Sequence, residues 1–157
     1  MSNDRKVFIA SDHMGFEMKE KFVNSLGVPD DLTGDLRFFD IGTDRVDREV
    51  DYPIYAKMVC SLVTENHGSK GILLSNTGIG MSMMANRVDG IRAALCSEPL
   101  MAVATRHTHN ANVLCIAAGF MKWKAILETV RTFLDTPYDD SVMKYIRQIY
   151  IMENLEV

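Results

Sequence analysis

The side chains of this sequence that suit proton transfer are Asp12 and His13, the run Ser75-Asn76-Thr77, and the pair His107 and His109. A carboxylate beside an imidazole can take up and return a proton near neutral pH. Hydroxyls and backbone amides around glycines can hold an oxyanion as it develops. The densest signal is Gly71-Ile-Leu-Leu-Ser-Asn-Thr-Gly-Ile-Gly-Met81, where an apolar run passes into small, polar and glycine residues and then into a helical pattern. That order predicts a strand, a ligand-cradling loop from Ser75 to Ser82 and a helix N-terminus. Gly78 and Gly80 let the backbone bend and approach a ligand, and the amides and helix dipole favour negative charge there.

Each of these residues also has a plainer reading. Asn76 to Gly80 could be only a tight strand-to-helix turn, Asp12 an N-cap for a helix beginning near Gly15, and Tyr52 a ring packed on the sheet edge. A dinucleotide fingerprint would need a third glycine after the first strand, and a P-loop would need a Lys before Ser or Thr, so neither is met. His107 and His109 stand at i and i+2, which do not share a helix face, so no metal site is expected from them.

The chain has 157 residues, 47% of them hydrophobic, enough for one domain over 1–157 with its own core. A net charge of −4 with dispersed Lys and Arg gives no footprint for nucleic acid or an anionic membrane. No signal peptide or membrane-length apolar run is found, which predicts a cytoplasmic protein. Cys60, Cys96 and Cys115 form no CxxC pair and read as core residues rather than a disulfide or zinc framework.

Short strand patterns alternate with helical ones, the sign of a parallel sheet built from βα units. Strands are expected at Lys6 to Ala10, Leu36 to Ile41, Gly71 to Leu74, Ile91 to Leu95 and Asn112 to Ala117. Helices are expected around Met18, Phe22 and Leu26, from Pro53 through Val63, from the glycine loop to about Arg87, from Pro99 to His107, and through Trp123 to Leu134. A last helix from about Asp139 to Met152 is expected to pack on a partner subunit. Ligands of open parallel sheets bind outside the carboxyl ends of the strands. Ser11 to His13, Asp51-Tyr52, Ser75 to Ser82 and Arg106 to Asn112 are all expected to collect there.

Taken in order, Ile9-Ala-Ser-Asp-His13, Val50-Asp-Tyr-Pro53, Gly78-Ile-Gly-Met-Ser82, Gly90-Ile-Arg-Ala-Ala94 and Asn112-Val-Leu114 resemble the family of ribose-5-phosphate isomerase B and the galactose-6-phosphate isomerase subunits. The resemblance covers nearly the whole chain. It implies a three-layer α/β/α, Rossmann-like domain with a five-stranded parallel sheet. The implied protein is a homodimer or homotetramer, or a hetero-oligomer with a paralogue, with active sites at the subunit interface. It also implies interconversion of aldose and ketose phosphates through an ene-diol, with no metal or organic cofactor. Family members commonly carry a Cys as base at the start of the glycine loop, a Thr two residues on, and a His on the fourth helix for ring opening.

Here Ser75 stands at the Cys position and Met81 where some members have a Glu, whereas Thr77 matches. Thr108 holds the His position, flanked by His107 and His109. Gly119 occupies the place of one family Arg, and no Gly-Arg-His motif follows Pro137, which leaves Lys122, Lys124, Lys144 and Arg147 as the nearby cations. The endings Asn110-Ala-Asn-Val113 and Pro53-Ile-Tyr-Ala-Lys57 lean towards the galactose-type B subunit. The expected site therefore has Asp12, Ser75, Thr77, His107 and His109 as catalytic residues. His13, Tyr52, Asn76, Gly78, Gly80, Ser82 and Asn110 are expected to bind a small sugar phosphate. A catalytically silent sugar-binding subunit is the competing reading, and a nucleotide-binding module with Glu98 on a ribose is a weaker third.

Overall fold

The computed structural model describes residues 5–26 and 35–154. Alternation along the central strands sets the architecture. In β1 (Arg5–Ser11), Val7 and Ile9 point to one face of the sheet and Phe8 and Ala10 to the other. In β3 (Lys70–Ser75), Ile72 and Leu74 oppose Leu73, and in β5 (Val113–Ala117), Leu114 and Ile116 oppose Val113 and Cys115. Strands apolar on both faces must be covered on both, which is why the sheet is parallel and sandwiched by helices. With β2 (Leu36–Asp40) and β4 (Ala93–Cys96) the sheet has the order β2-β1-β3-β5-β4, every neighbouring pair parallel.

One face carries α1 (Phe16–Ser25), α4 (Pro99–His107) and α5 (Trp123–Asp135), which contribute Phe22, Ala102, Ile126, Val130 and Phe133 to the core. The other carries α2 (Tyr52–Glu65) and α3 (Ile79–Ala85), through Ala56, Val59, Val63, Met81 and Ala85. Pro53 and Pro99 sit in the first turns of α2 and α4, where a missing N–H costs nothing.

Three boundaries differ from the sequence expectation. β4 starts at Ala93 rather than Ile91, because Gly90 turns at φ 78° and the Arg92 N–H is taken by the Asn112 side chain. Leu26 lies just past the end of α1. The last helix is divided: Asp139 accepts from the Ser141 N–H and opens a 3₁₀ turn at Asp140–Val142, before α6 (Lys144–Glu153). α6 buries none of its residues and exposes Tyr145, Ile149, Tyr150 and Ile151.

Candidate active site

Three loops at the carboxyl ends of β1, β3 and β5 are stitched together by backbone hydrogen bonds. Asp12 N–H donates to Leu74 O (3.3 Å), Ala118 N–H to Ser75 O (2.8 Å) and Gly119 N–H to Asn76 O (3.0 Å). Ser11 is in register with Leu74, so one further step along each strand sets Asp12 beside Ser75. Neighbouring strands lie about 4.8 Å apart, which brings the two residues to the floor of one cleft.

Asp12 is buried, and its Oδ1 accepts from the Gly15 N–H at 2.9 Å. That turn does not N-cap α1 through its side chain: the N-cap residue is Gly15 itself. Burial raises the Asp12 carboxyl above its ordinary value, against the opposing pull of the Gly15 N–H and the His13 charge. His13 Nδ1 accepts from the Val50 N–H at 3.2 Å. An imidazole nitrogen that accepts carries no proton, so Nε2 is the donor of this ring.

In the glycine loop Gly78 adopts φ 70°, and a Cβ there would come within 2.5 Å of Leu95 Cδ1 and 3.1 Å of the Ile116 backbone. Only glycine meets both conditions at low cost. The Gly78 N–H, expected to face an oxyanion, is instead committed to Ser75 Oγ at 3.0 Å. Thr77 Oγ1 accepts from the Ile79 N–H at 3.3 Å. Gly80 lies under the ring of Tyr52, to which a Cβ would approach within 2.6 Å, so Tyr52 forms a wall of the loop. Asn76 leans over Gly119 so closely that any side chain at 119 would displace its carboxamide. Ser82 lies half-buried in α3, and its carbonyl accepts from the Asn86 N–H.

The loop from Arg106 to Asn112 is not at this end of the sheet. α4 starts beyond the carboxyl end of β4 and runs back, so His107 closes it at the opposite, amino edge. Asn112 O there accepts from the N–H of Gly71 near the start of β3. From Gly71 to Ser75 is four residue steps, about 13 Å at 3.3 Å per residue, which separates His107, His109 and Asn110 from Ser75 of the same chain. A helix returning antiparallel to its strands necessarily ends at that edge. Asn110 has φ 46° and is held by Arg106 and Arg92, and His109 lines a cavity of about 370 Å³ with Ile149 and Glu153. A second cavity of about 410 Å³ is lined by Lys70, Arg92 and Asn112. Neither contains the carboxylate and hydroxyls of the opposite end. Three features were not read from the sequence: the Val50 hydrogen bond, the fit of Gly15, and the pairing of Asn76 with Gly119. All three are contacts between residues far apart in the chain.

A family model described as ribose/galactose isomerase matches residues 7–149. The chain belongs to this isomerase family. Ribose-5-phosphate isomerase B of Escherichia coli (strain K12) is 33% identical over 135 residues, which cover 86% of this chain and 87% of that protein. The solved ribose 5-phosphate isomerase of Thermotoga maritima superposes with a TM-score of 0.83 at 43% identity, covering 92% of this chain and 97% of the other. Ribose-5-phosphate isomerase B of Mycoplasma genitalium, solved with bound ribulose-5-phosphate, superposes with a TM-score of 0.87 at 32% identity over 96% of this chain and 97% of that one.

In this isomerase-family chain the cysteines stand apart from the site chemistry. All three are buried, and burial pushes the thiol of Cys60 up to about 12 and that of Cys96 up to about 11; Cys115 is pushed up in the same direction. Thiols of this kind stay protonated and inert at neutral pH. An alkylating thiol reagent at pH 7.5 is therefore expected to label none of the three in the folded protein and all three in denaturant, read by mass spectrometry.

Proposed function

We propose that this chain is an aldose–ketose isomerase acting on a sugar phosphate, with ribose 5-phosphate as the leading substrate, through an ene-diol and without a cofactor. The observation that carries the reading is the clustering of Asp12, His13, Ser75 and Thr77 at one end of the sheet, on a fold whose solved relatives are ribose-5-phosphate isomerases. The galactose-type features of the sequence have no counterpart among those relatives' names, which is why the pentose phosphate comes first. In this reading His13 donates from Nε2 to a sugar or phosphate oxygen, Tyr52 and Asn76 shape the pocket, and Thr77 relays protons between adjacent oxygens.

His107, His109 and Asn110 join the site from a second copy of the chain, because their own Ser75 is out of reach. Both histidines are exposed on the amino edge, as an intersubunit role requires. The exposed apolar side chains of α6 are suited to the same contact.

Incubation with ribose 5-phosphate, galactose 6-phosphate and unphosphorylated ribose, followed by ketose detection, tests the proposal. The expected result is ketose from ribose 5-phosphate and none from ribose. A second reading, a silent binding subunit, is favoured by the commitment of Ser75 Oγ to Gly78 and by Gly119. It would show as a raised Tm with sugar phosphate but no ketose.

A further inference from the structure

We propose that the base which moves the proton between the two sugar carbons is the Asp12 carboxylate and not Ser75. The proposal rests on the isomerase reading and names the residue that does its central step. Ser75 Oγ already accepts from the Gly78 N–H in a buried turn, and an alcohol without a neighbouring base is a poor proton acceptor at neutral pH.

The other titratable groups near this end of the sheet, among the described residues, are each otherwise engaged or displaced. His13 Nδ1 is occupied by the Val50 N–H and its Nε2 bears the proton. Asp40 Oδ2 is bound to the buried Lys19 ammonium at 2.5 Å. Cys96 is a buried, protonated thiol. Asp51 and Glu98 are exposed backbone N-caps of α2 and α4.

Asp12 has what these lack. Its Oδ1 is fixed by the Gly15 N–H, which leaves Oδ2 to face the cleft, and register sets it beside Ser75. The turn that holds it cannot shift, because Gly15 is pressed against the Leu74 carbonyl. Burial also strengthens the carboxylate as a base, since it raises the proton affinity above that of a solvated carboxylate.

The step balances without any outside reagent. Asp12 takes the proton from C2 of the open-chain aldose, the C–H electron pair forms the C1=C2 bond, and the carbonyl pair moves to O1. The Thr77 hydroxyl gives its proton to O1 and recovers one from O2. The O2 electrons then form the C2 carbonyl, and the C1=C2 pair takes the proton back from Asp12 at C1. Nothing is oxidised or reduced overall.

The test is exchange of the transferred hydrogen with heavy water, followed by NMR with ribose 5-phosphate. Asp12→Asn keeps an oxygen for the Gly15 N–H but no basicity, and its exchange is expected to fall about 10³-fold. The sign of the stability effect is also fixed. A carboxyl whose pKa is raised by folding binds its proton more tightly in the native state, so its ionisation at neutral pH weighs against folding. Asp12→Asn should therefore show a Tm at pH 7 equal to or above that of the wild type. Asp12→Ala should recover at least tenfold of its lost exchange with added formate, and Ser75→Ala should lose no more than about tenfold.

Exchange by Asp12→Asn within tenfold of wild type would overturn the proposal. So would a Ser75→Ala loss as deep as that of Asp12→Asn, or the absence of formate rescue, which would make Asp12 a positioning residue. A wild type that exchanges no hydrogen of ribose 5-phosphate, galactose 6-phosphate or erythrose 4-phosphate would remove the isomerase reading itself and this inference with it.

Discussion

A single methyl group added at Gly15 is expected to reduce turnover to below about 1% of wild type and to cost about 2–4 kcal/mol of stability. The Cβ of Gly15→Ala would lie 2.4 Å from Leu74 O, 2.6 Å from Leu74 C and 3.0 Å from Ser75 N. These are backbone atoms of a central strand, so no side chain can swing aside to make room. The backbone of Gly15 itself is helical, with φ −94°, and would accept alanine elsewhere. The turn must therefore lift away from β3, and the Gly15 N–H is drawn from the Asp12 carboxylate. Gly68→Ala is the matched comparison. Gly68 has φ 83° but nothing within 4 Å of a new Cβ, so only left-handed strain of about 1–2 kcal/mol is expected, with activity retained. Denaturant unfolding and initial rates of the two variants check both statements.

The second large effect concerns the two ends of the sheet. Asp12→Asn protomers and His107→Ala/His109→Ala protomers are each expected to be inactive alone. Co-expressed in equal amounts, they should recover about a quarter of wild-type activity. Half of randomly paired dimers are mixed, and each of those holds one site with a native Asp12 and native histidines. A site contained within one chain would give no recovery. The four steps of β3 between Gly71 and Ser75 are the reason recovery is expected, since a histidine on the amino edge does not reach the carboxyl end of its own sheet.

Much of the fold was legible because it rests on local periodicity. The alternation of Val7, Phe8, Ile9 and Ala10, and the spacing of Ile126, Val130 and Phe133, each report a face that must be buried, and those faces are buried. The motif loops at Asp12 and at Ser75 to Gly80 were legible for the same reason, as breaks in periodicity that follow strands. The loop from Arg106 to Asn112 has the same look of polar residues beside a strand, but it precedes its strand instead of following it. That difference of order moves it to the other end of the sheet. The commitment of Gly78 N–H to Ser75 and the seat of Asn76 over Gly119 could not be read, because each is decided by how a loop folds against a distant strand.

Wild-type protein incubated with ribose 5-phosphate in heavy water, with the carbons beside the carbonyl followed by NMR, tests the central claim most directly. The account predicts deuterium in the recovered aldose or in the ketose formed from it, since a proton held on a side chain between two transfers can exchange with solvent. Protein that is folded, binds the sugar phosphate and leaves every carbon-bound hydrogen in place would contradict it.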